Sequence, residues 1–177
     1  MTDLPARLRQ VLPEAVVSEA YAVVTADVAR EDWVGAVTAV RDDAELDGTF
    51  LDLLTAVDQS PGGFDVVVRL WSVARRHGVH VRTSCPRDDE RVPSLTAVFA
   101  GAAWHEREVA EMFGLAFDGH PGLAPLLLPA GGVARPLRKD HVLAARVDVP
   151  WPGAVDPADS GEGGRPSRRR LLPPGAS

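Results

Sequence analysis

Residues 64–71 read FDVVVRLW and give the clearest structural pattern in the sequence. The even-numbered positions of this stretch are all apolar, whereas Asp65 and Arg69 occupy odd-numbered positions. Successive side chains of a β-strand point to opposite faces, so this alternation predicts a strand with one buried face.

Similar strand patterns lie on both sides of this central stretch. Residues 50–57 form a largely apolar run, and the Pro-Gly-Gly sequence at 61–63 marks a turn before the central strand. Residues 79–83 continue the alternation after a further tight turn. Three strands at such short spacing predict an antiparallel meander.

Helical patterns flank these strands. Residues 3–12, 31–41 and 102–113 place apolar side chains at helical spacing, and Gly114 follows where helices commonly end. Residues 20–28 are rich in Val and Thr and predict a strand between the first two helices. The order predicts an α+β fold, a mostly antiparallel sheet with helices packed on it, followed by an extended irregular C-terminal segment.

Regular patterning ends after the predicted α+β domain, residues 1–118. Residues 119–151 are interrupted by prolines yet remain rich in leucine, and an irregular but apolar segment usually lies against another surface. We therefore expect residues 119–151 to be an extended partner-docking segment. Residues 152–177 are rich in Pro, Gly and Arg and predict a disordered tail.

Composition and charge exclude several classes of protein. The 177 residues are 45% hydrophobic and 25% charged, as in ordinary globular chains. A formal net charge of -6 gives no attraction for phosphates, so nucleic acid is not an expected partner. No apolar run is long enough to span a membrane and no signal peptide is visible, so any membrane association is expected to be indirect.

The sequence offers no convincing set of catalytic or metal-binding residues. The five histidines are scattered, the single Cys85 has no partner thiol, and the glycines at 161–164 lack the spacing of a nucleotide-binding loop. We therefore expect this chain to have no catalytic residue, to bind no cofactor and to hold no metal. A free-standing small enzyme or ligand-binding domain remains an alternative.

The most distinctive feature is a charged cluster on an otherwise apolar helix. It comprises Glu106-Arg107-Glu108 and Glu111-Met112-Phe113-Gly114, and Phe117-Asp118-Gly119-His120-Pro121 follows. One interpretation is a solvated helix face with Arg107 paired to Glu111 at i,i+4.

These blocks closely resemble the signature of the C subunit, or thirty-kilodalton subunit, of bacterial NADH-quinone oxidoreductase (respiratory complex I). Two further landmarks follow in the family's order, Leu-Leu-Leu-Pro at 126–129 and Pro-Leu-Arg-Lys-Asp at 136–140. The resemblance runs from about residue 20 to residue 143. The chain departs from the family pattern at residues 130–135, where the family has a passage containing tryptophan.

The resemblance implies a non-catalytic scaffold subunit in the hydrophilic arm of a proton-translocating enzyme that moves electrons from NADH to quinone. It implies docking to the large quinone-site subunit and to neighbouring iron–sulfur subunits, which would hold the flavin and the clusters. The implied location is peripheral, on the cytoplasmic side of the cell membrane. An equivalent subunit of a membrane-bound hydrogenase or formate-oxidising complex is the alternative.

The resemblance also implies which residues lie at the partner interface. These expected interface residues are Glu106, Arg107, Glu108, Glu111, Phe113, His120, Pro121, Leu127, Pro136, Leu137, Arg138, Lys139 and Asp140.

Overall fold

The structure is a computed structural model that describes residues 3–129 and 134–142. Its helices are α1 (Leu4–Val11), α2 (Trp33–Asp42) and α3 (Ala102–Phe113). Its strands are β1 (Val16–Ala20), β2 (Val23–Asp27), β3 (Phe50–Asp58), β4 (Phe64–Ser72), β5 (His77–Cys85), β6 (Arg91–Pro93) and β7 (Ala116–Asp118). No helix of the described residues is long and apolar enough to cross a membrane. The predicted tail, residues 152–177, lies outside the described residues.

A five-stranded sheet in the order β1-β2-β5-β4-β3 forms the centre of the fold. Strands β3, β4 and β5 are an antiparallel meander, as the sequence predicts. Strand β2 pairs with β5 in parallel, so the sheet is mixed although most of its pairs are antiparallel. The predicted α+β class with helices packed on the sheet is therefore confirmed.

The sequence predicts a first strand over residues 20–28, but the observed strand β2 begins only at Val23. The chain instead forms a hairpin of β1 and β2, whose turn is Tyr21-Ala22. Both turn residues have positive φ, 52° and 61°. Hairpin turns of this kind usually contain Asn, Asp or Gly, so the sequence lacks the expected turn signal.

The core lies between one face of the sheet and the helices. Strand β4 alternates buried and half-buried side chains along its whole length, which matches the pattern of residues 64–71. Trp33, Val37 and Val40 of α2 are completely buried beside it. Each large side chain buried in this way contributes roughly 1.5–3 kcal/mol to stability.

Helix α3 occupies the bounds that the sequence predicts and ends at Gly114, whose φ is 81°. Left-handed backbone of this kind is easiest for glycine and is common immediately after a helix. The helix packs against β3, and Phe113 meets Phe64 of β4 edge to face with ring centroids 6.1 Å apart. Strands β6 and β7 pair in parallel and lie before and after α3 in the sequence.

Candidate docking site

One face of α3 binds the backbone of the irregular segment that follows it. Ala103, Arg107 and Glu111 are spaced four residues apart, so they lie one above another on the helix. The Arg107 guanidinium donates to the carbonyl oxygens of Ala124 and Pro125 at 2.9 and 2.8 Å. The predicted pair between Arg107 and Glu111 is replaced by bonds from each side chain to this segment.

Glu111 binds three consecutive backbone N–H groups. Its carboxylate accepts hydrogen bonds from the amides of Leu126, Leu127 and Leu128, at 3.2, 2.7 and 3.0 Å. The bond from the Leu127 amide does most to lower the pKa of Glu111 below its ordinary value, and the other two amides add to the effect. The ionised carboxylate therefore satisfies donors that an irregular segment would otherwise leave to water.

His120 bonds the start of the segment to the same helix face. Its Nε2 lies 3.1 Å from the carbonyl oxygen of Ala103, and its Nδ1 accepts from the Gly122 amide at 2.9 Å. A nitrogen that accepts from an amide carries no proton, so Nε2 is the donor and the ring is the neutral Nε2–H tautomer.

Residues 134–142 attach to the domain at a second place. The Arg138 guanidinium donates to Glu90 with both of its Nη atoms, at 3.1 and 2.5 Å, and to the Phe113 carbonyl oxygen at 2.8 Å. The Leu137 amide donates to the Met112 carbonyl oxygen at 3.3 Å. These bonds place the Pro-Leu-Arg-Lys-Asp block against the end of α3.

Asp58, at the end of β3, anchors the other side of this block. Its carboxylate accepts from the Lys139 amide at 2.8 Å and from Arg87 Nη2 at 2.5 Å. Burial acts to raise the pKa of Asp58, but the bonds from Lys139, Arg87 and Ser60 outweigh it and leave the pKa below its ordinary value. Arg87 and Arg138 also lie 5.0 and 4.9 Å from the centre of the Phe64 ring, within the range of cation–π attraction.

Glu106 belongs to the interior and not to the surface. It has no exposed area, and its carboxylate accepts from the Ser94 hydroxyl and the Leu95 amide, each at 2.6 Å. Burial raises the pKa of Glu106, and these two bonds partly oppose that effect.

Glu106 and Phe113 are thus interior residues of the described chain, and their expected place at a partner interface stays a prediction. Phe113 is only 5% exposed, because its ring packs against Phe64. Ala102, Glu106, Val109 and Phe113 recur at spacings of three and four, which is one buried helix face. That spacing is the sequence signal that could have identified Glu106 as an internal residue.

The remaining expected interface residues fall into two groups. Five are partly buried: Arg107, Glu111, His120, Pro136 and Arg138. Four of these five form hydrogen bonds that attach the segment to the domain, and Pro136 is next to Leu137 in the sequence. Six are exposed: Glu108, Pro121, Leu127, Leu137, Lys139 and Asp140. Leu127 and Leu137 are 60% and 53% exposed, so the segment leaves apolar surface open to solvent beside its bonds to the domain.

Little in the described part of the chain is arranged for covalent or metal chemistry. Among residues 3–129 and 134–142, no three His, Cys, Asp or Glu side chains come together as a metal site would need. The Cys85 thiol is buried, and burial raises its pKa to about 11. At neutral pH this thiol is protonated and therefore a poor nucleophile.

Comparison with known proteins identifies the family. Residues 26–147 match the family model described as the respiratory-chain NADH dehydrogenase, 30 Kd subunit. The chain belongs to this family. This is the family that the blocks at 106–121, 126–129 and 136–140 predict. The matched range also includes both places where the irregular segment attaches to the domain.

Relatives support this assignment over most of the chain. The C subunit of NADH-quinone oxidoreductase from Roseiflexus castenholzii is 40% identical over 145 residues, which cover 79% of this chain and 83% of the relative. The protein of the same name from Brucella abortus (strain 2308) is 35% identical over 151 residues, which cover 83% of this chain and 74% of the relative.

Two solved structures share the fold. A trypsin-resistant fragment of Nqo5 has a TM-score of 0.61 at 23% identity, and the match covers 68% of this chain and 99% of the fragment. A chain from the membrane-bound sulfane sulfur reductase, an archaeal respiratory membrane complex, has a TM-score of 0.66 at 22% identity. That match covers 87% of this chain and 95% of the other.

Proposed function

We propose that this chain is a non-catalytic scaffold subunit in the hydrophilic arm of a proton-translocating NADH-quinone oxidoreductase. It docks the large quinone-site subunit and so supports electron transfer from NADH to quinone. Membership of the 30 Kd subunit family supports this role, as do the relatives from NADH-quinone oxidoreductases at 35–40% identity.

The observation that carries the proposal is an irregular segment that is hydrogen-bonded to the domain while three of its leucines, Leu123, Leu127 and Leu137, are exposed. Leu127 and Leu137 project from backbone that bonds to Glu111 and Met112 of α3, and the Lys139 amide and Arg138 side chain attach the same segment to Asp58 and Glu90. Removal of apolar surface from water is favourable by roughly 25 cal/mol of transfer free energy for each Å². Exposed Glu108, Lys139 and Asp140 form the polar surroundings of this docking surface, to which Pro121 and Pro136 also belong, and Arg107, Glu111, His120 and Arg138 hold it.

The proposal assigns the redox groups to other subunits. The flavin and iron–sulfur clusters belong to the partner subunits, and this chain contributes no catalytic, metal or cofactor residue. Its location is peripheral, on the cytoplasmic side of the membrane, and contact with the membrane is through its partners. Nucleic acid is not among those partners, because a chain of net charge -6 repels phosphates.

The same fold occurs in the archaeal sulfane sulfur reductase complex, so the fold alone does not select the electron donor. The identities of 35–40% favour the NADH-quinone enzyme over a related hydrogenase or formate-oxidising complex.

Purification of the affinity-tagged chain from the cells that encode it tests the proposal. We expect it to co-purify in fixed stoichiometry with a large subunit, and the assembly to reduce quinone with NADH. An assembly whose large subunit holds nickel would assign the chain to a hydrogenase. A tagged chain recovered alone, with the NADH-quinone activity in other fractions, would overturn the scaffold role.

A further inference from the structure

His120 joins two parts of the chain through the two nitrogens of its ring. Its Nε2 donates to the Ala103 carbonyl oxygen of α3 at 3.1 Å, and its Nδ1 accepts from the Gly122 amide at 2.9 Å. The second bond exists only while Nδ1 keeps a lone pair, because a protonated imidazole is a donor at both nitrogens. The contact between His120 and Gly122 therefore depends on the charge of the ring.

A buried carboxyl group acts on this ring. Glu106 of α3 has no exposed area, and the charge of His120 lowers the pKa of Glu106. The attraction is mutual, so an ionised Glu106 favours the protonated form of His120. Burial opposes this effect, because it raises the pKa of Glu106 and so favours the neutral carboxyl. Asp118, two residues before His120, is already paired with Arg91.

The other bonds between α3 and the segment respond differently to pH. Arg107 donates to two backbone carbonyl oxygens of the segment, and a guanidinium keeps its charge throughout the range in which proteins are folded. Glu111 accepts from three amides of the segment, and these bonds hold the pKa of Glu111 below its ordinary value. Histidines ordinarily change charge between about pH 5 and pH 8. A fall in pH through this range therefore acts on the bond from Gly122 to His120 and spares the bonds to Arg107 and Glu111.

We propose that His120 is a pH-sensitive latch between α3 and the start of the irregular segment. While the ring is neutral, Nδ1 binds the Gly122 amide and the latch is closed. When Nδ1 takes a proton from water, the ring presents two donors and the Gly122 amide turns to solvent. Residues 121–123 are then released, whereas Glu111 still binds the amides of residues 126–128. The latch is a property of the chain itself and does not rest on the proposed function.

Amide exchange with water, measured by NMR on the full-length chain, tests the latch. Protection of each amide is taken relative to its intrinsic exchange rate at the same pH. We expect the protection of the Gly122 amide to fall at least about fivefold between about pH 8 and pH 5, in step with the NMR titration of the His120 ring. The amides of α3 and of Leu127 should keep their protection over the same range.

Two substitutions of similar size separate the roles of the two ring nitrogens. His120→Asn places an amide oxygen near the position of Nδ1 and does not titrate, so Gly122 should stay protected at both pH values. His120→Gln reaches towards Ala103 but leaves Gly122 without its acceptor, so Gly122 should be unprotected at both. His105→Gln, which removes another histidine of α3, is the control and should keep the wild-type dependence on pH.

Three results would overturn the inference. The first is a Gly122 amide whose protection stays constant while the His120 ring titrates. The second is a ring that stays neutral down to about pH 5, below the range in which histidines ordinarily titrate. The third is a wild-type dependence on pH that persists in His120→Asn.

Discussion

Arg138 and Glu90 form a forked ion pair that joins the block at 136–140 to the domain. The two Nη atoms of Arg138 meet the two carboxylate oxygens of Glu90 at 2.5 and 3.1 Å. The Arg138 and Glu90 side chains are only 13% and 20% exposed. The pair, together with the bond to the Phe113 carbonyl oxygen, makes Arg138 an internal residue of the free chain.

Arg138→Ala should therefore destabilise the isolated chain. The substitution leaves Glu90 without its forked partner and removes the cation beside the Phe64 ring, so we expect a loss of about 2–3 kcal/mol in the free energy of unfolding. Chemical denaturation of the purified chain measures it. Arg75→Ala, at an exposed turn position between β4 and β5, is the control and should change stability by less than about 0.5 kcal/mol. Equal stability of the two variants would contradict the internal role of Arg138.

Glu106 should tolerate an amide but not an apolar side chain. Glu106→Leu leaves the Leu95 amide unpaired in the interior and takes the carboxylate partner from the Ser94 hydroxyl, which we expect to cost roughly 2–3 kcal/mol. Glu106→Gln keeps an acceptor for Leu95 and should stay closer to the wild type. Thermal and denaturant unfolding of both variants compare them. A Leu variant as stable as the wild type would show that the two bonds contribute nothing.

Glu106 should also make the free energy of unfolding depend on pH. Burial raises the pKa of Glu106 in the folded chain, so the native state holds its proton more tightly than the unfolded state. The stability from the protonated carboxyl is fully present below the unfolded pKa of about 4.5 and is lost as pH rises through the folded pKa. The difference in unfolding free energy between Glu106→Gln and wild type should therefore shift in favour of Gln as pH rises from about 4 to about 7. No shift across that range would contradict the raised pKa.

Asp43 should show the opposite dependence on pH. The bond from Arg7 does most to lower the pKa of Asp43 to about 2, and the amides of Leu46 and Glu45 assist it. This contribution is present above the unfolded pKa near 3.8 and is lost as pH falls towards 2. We expect wild type to lose about 1 kcal/mol more than Asp43→Asn between about pH 5 and pH 2, because Asn keeps the turn but not the ion pair. Parallel losses in denaturant titrations of the two proteins would refute the prediction.

The sequence was sufficient to predict those helices and strands that have a clear local pattern of apolar residues. The alternation in residues 64–71 predicted β4 and its buried face, and helical spacing with Gly114 predicted α3 at its observed bounds. The parallel pairing of β2 with β5 is a long-range choice that local spacing does not encode. Strands β6 and β7, of three residues each, are too short to show a period.

The docking segment shows a different limit of sequence reasoning. Its apolar, irregular character was evident, but whether the charges near it face a partner or the chain itself was not. Arg107 and Glu111 bind backbone atoms 15 to 18 residues away, and no side-chain pattern records such contacts. Arg107 and Glu111 of the signature therefore hold the segment, and Leu127 is left exposed.

Assembly of Leu127→Glu in the native cells measures directly whether this surface docks a partner. Leu127 is 60% exposed, so the substitution should change the stability of the free chain by less than about 0.5 kcal/mol. Val73→Glu, at a 66% exposed position in the turn after β4, is the matched control. We expect the fraction of tagged chain recovered in the NADH-quinone oxidoreductase to fall at least about tenfold for Leu127→Glu, since a charge buried at an apolar contact is costly, and to stay unchanged for Val73→Glu. Equal recovery of the two variants in the assembled enzyme would contradict the docking role of this segment.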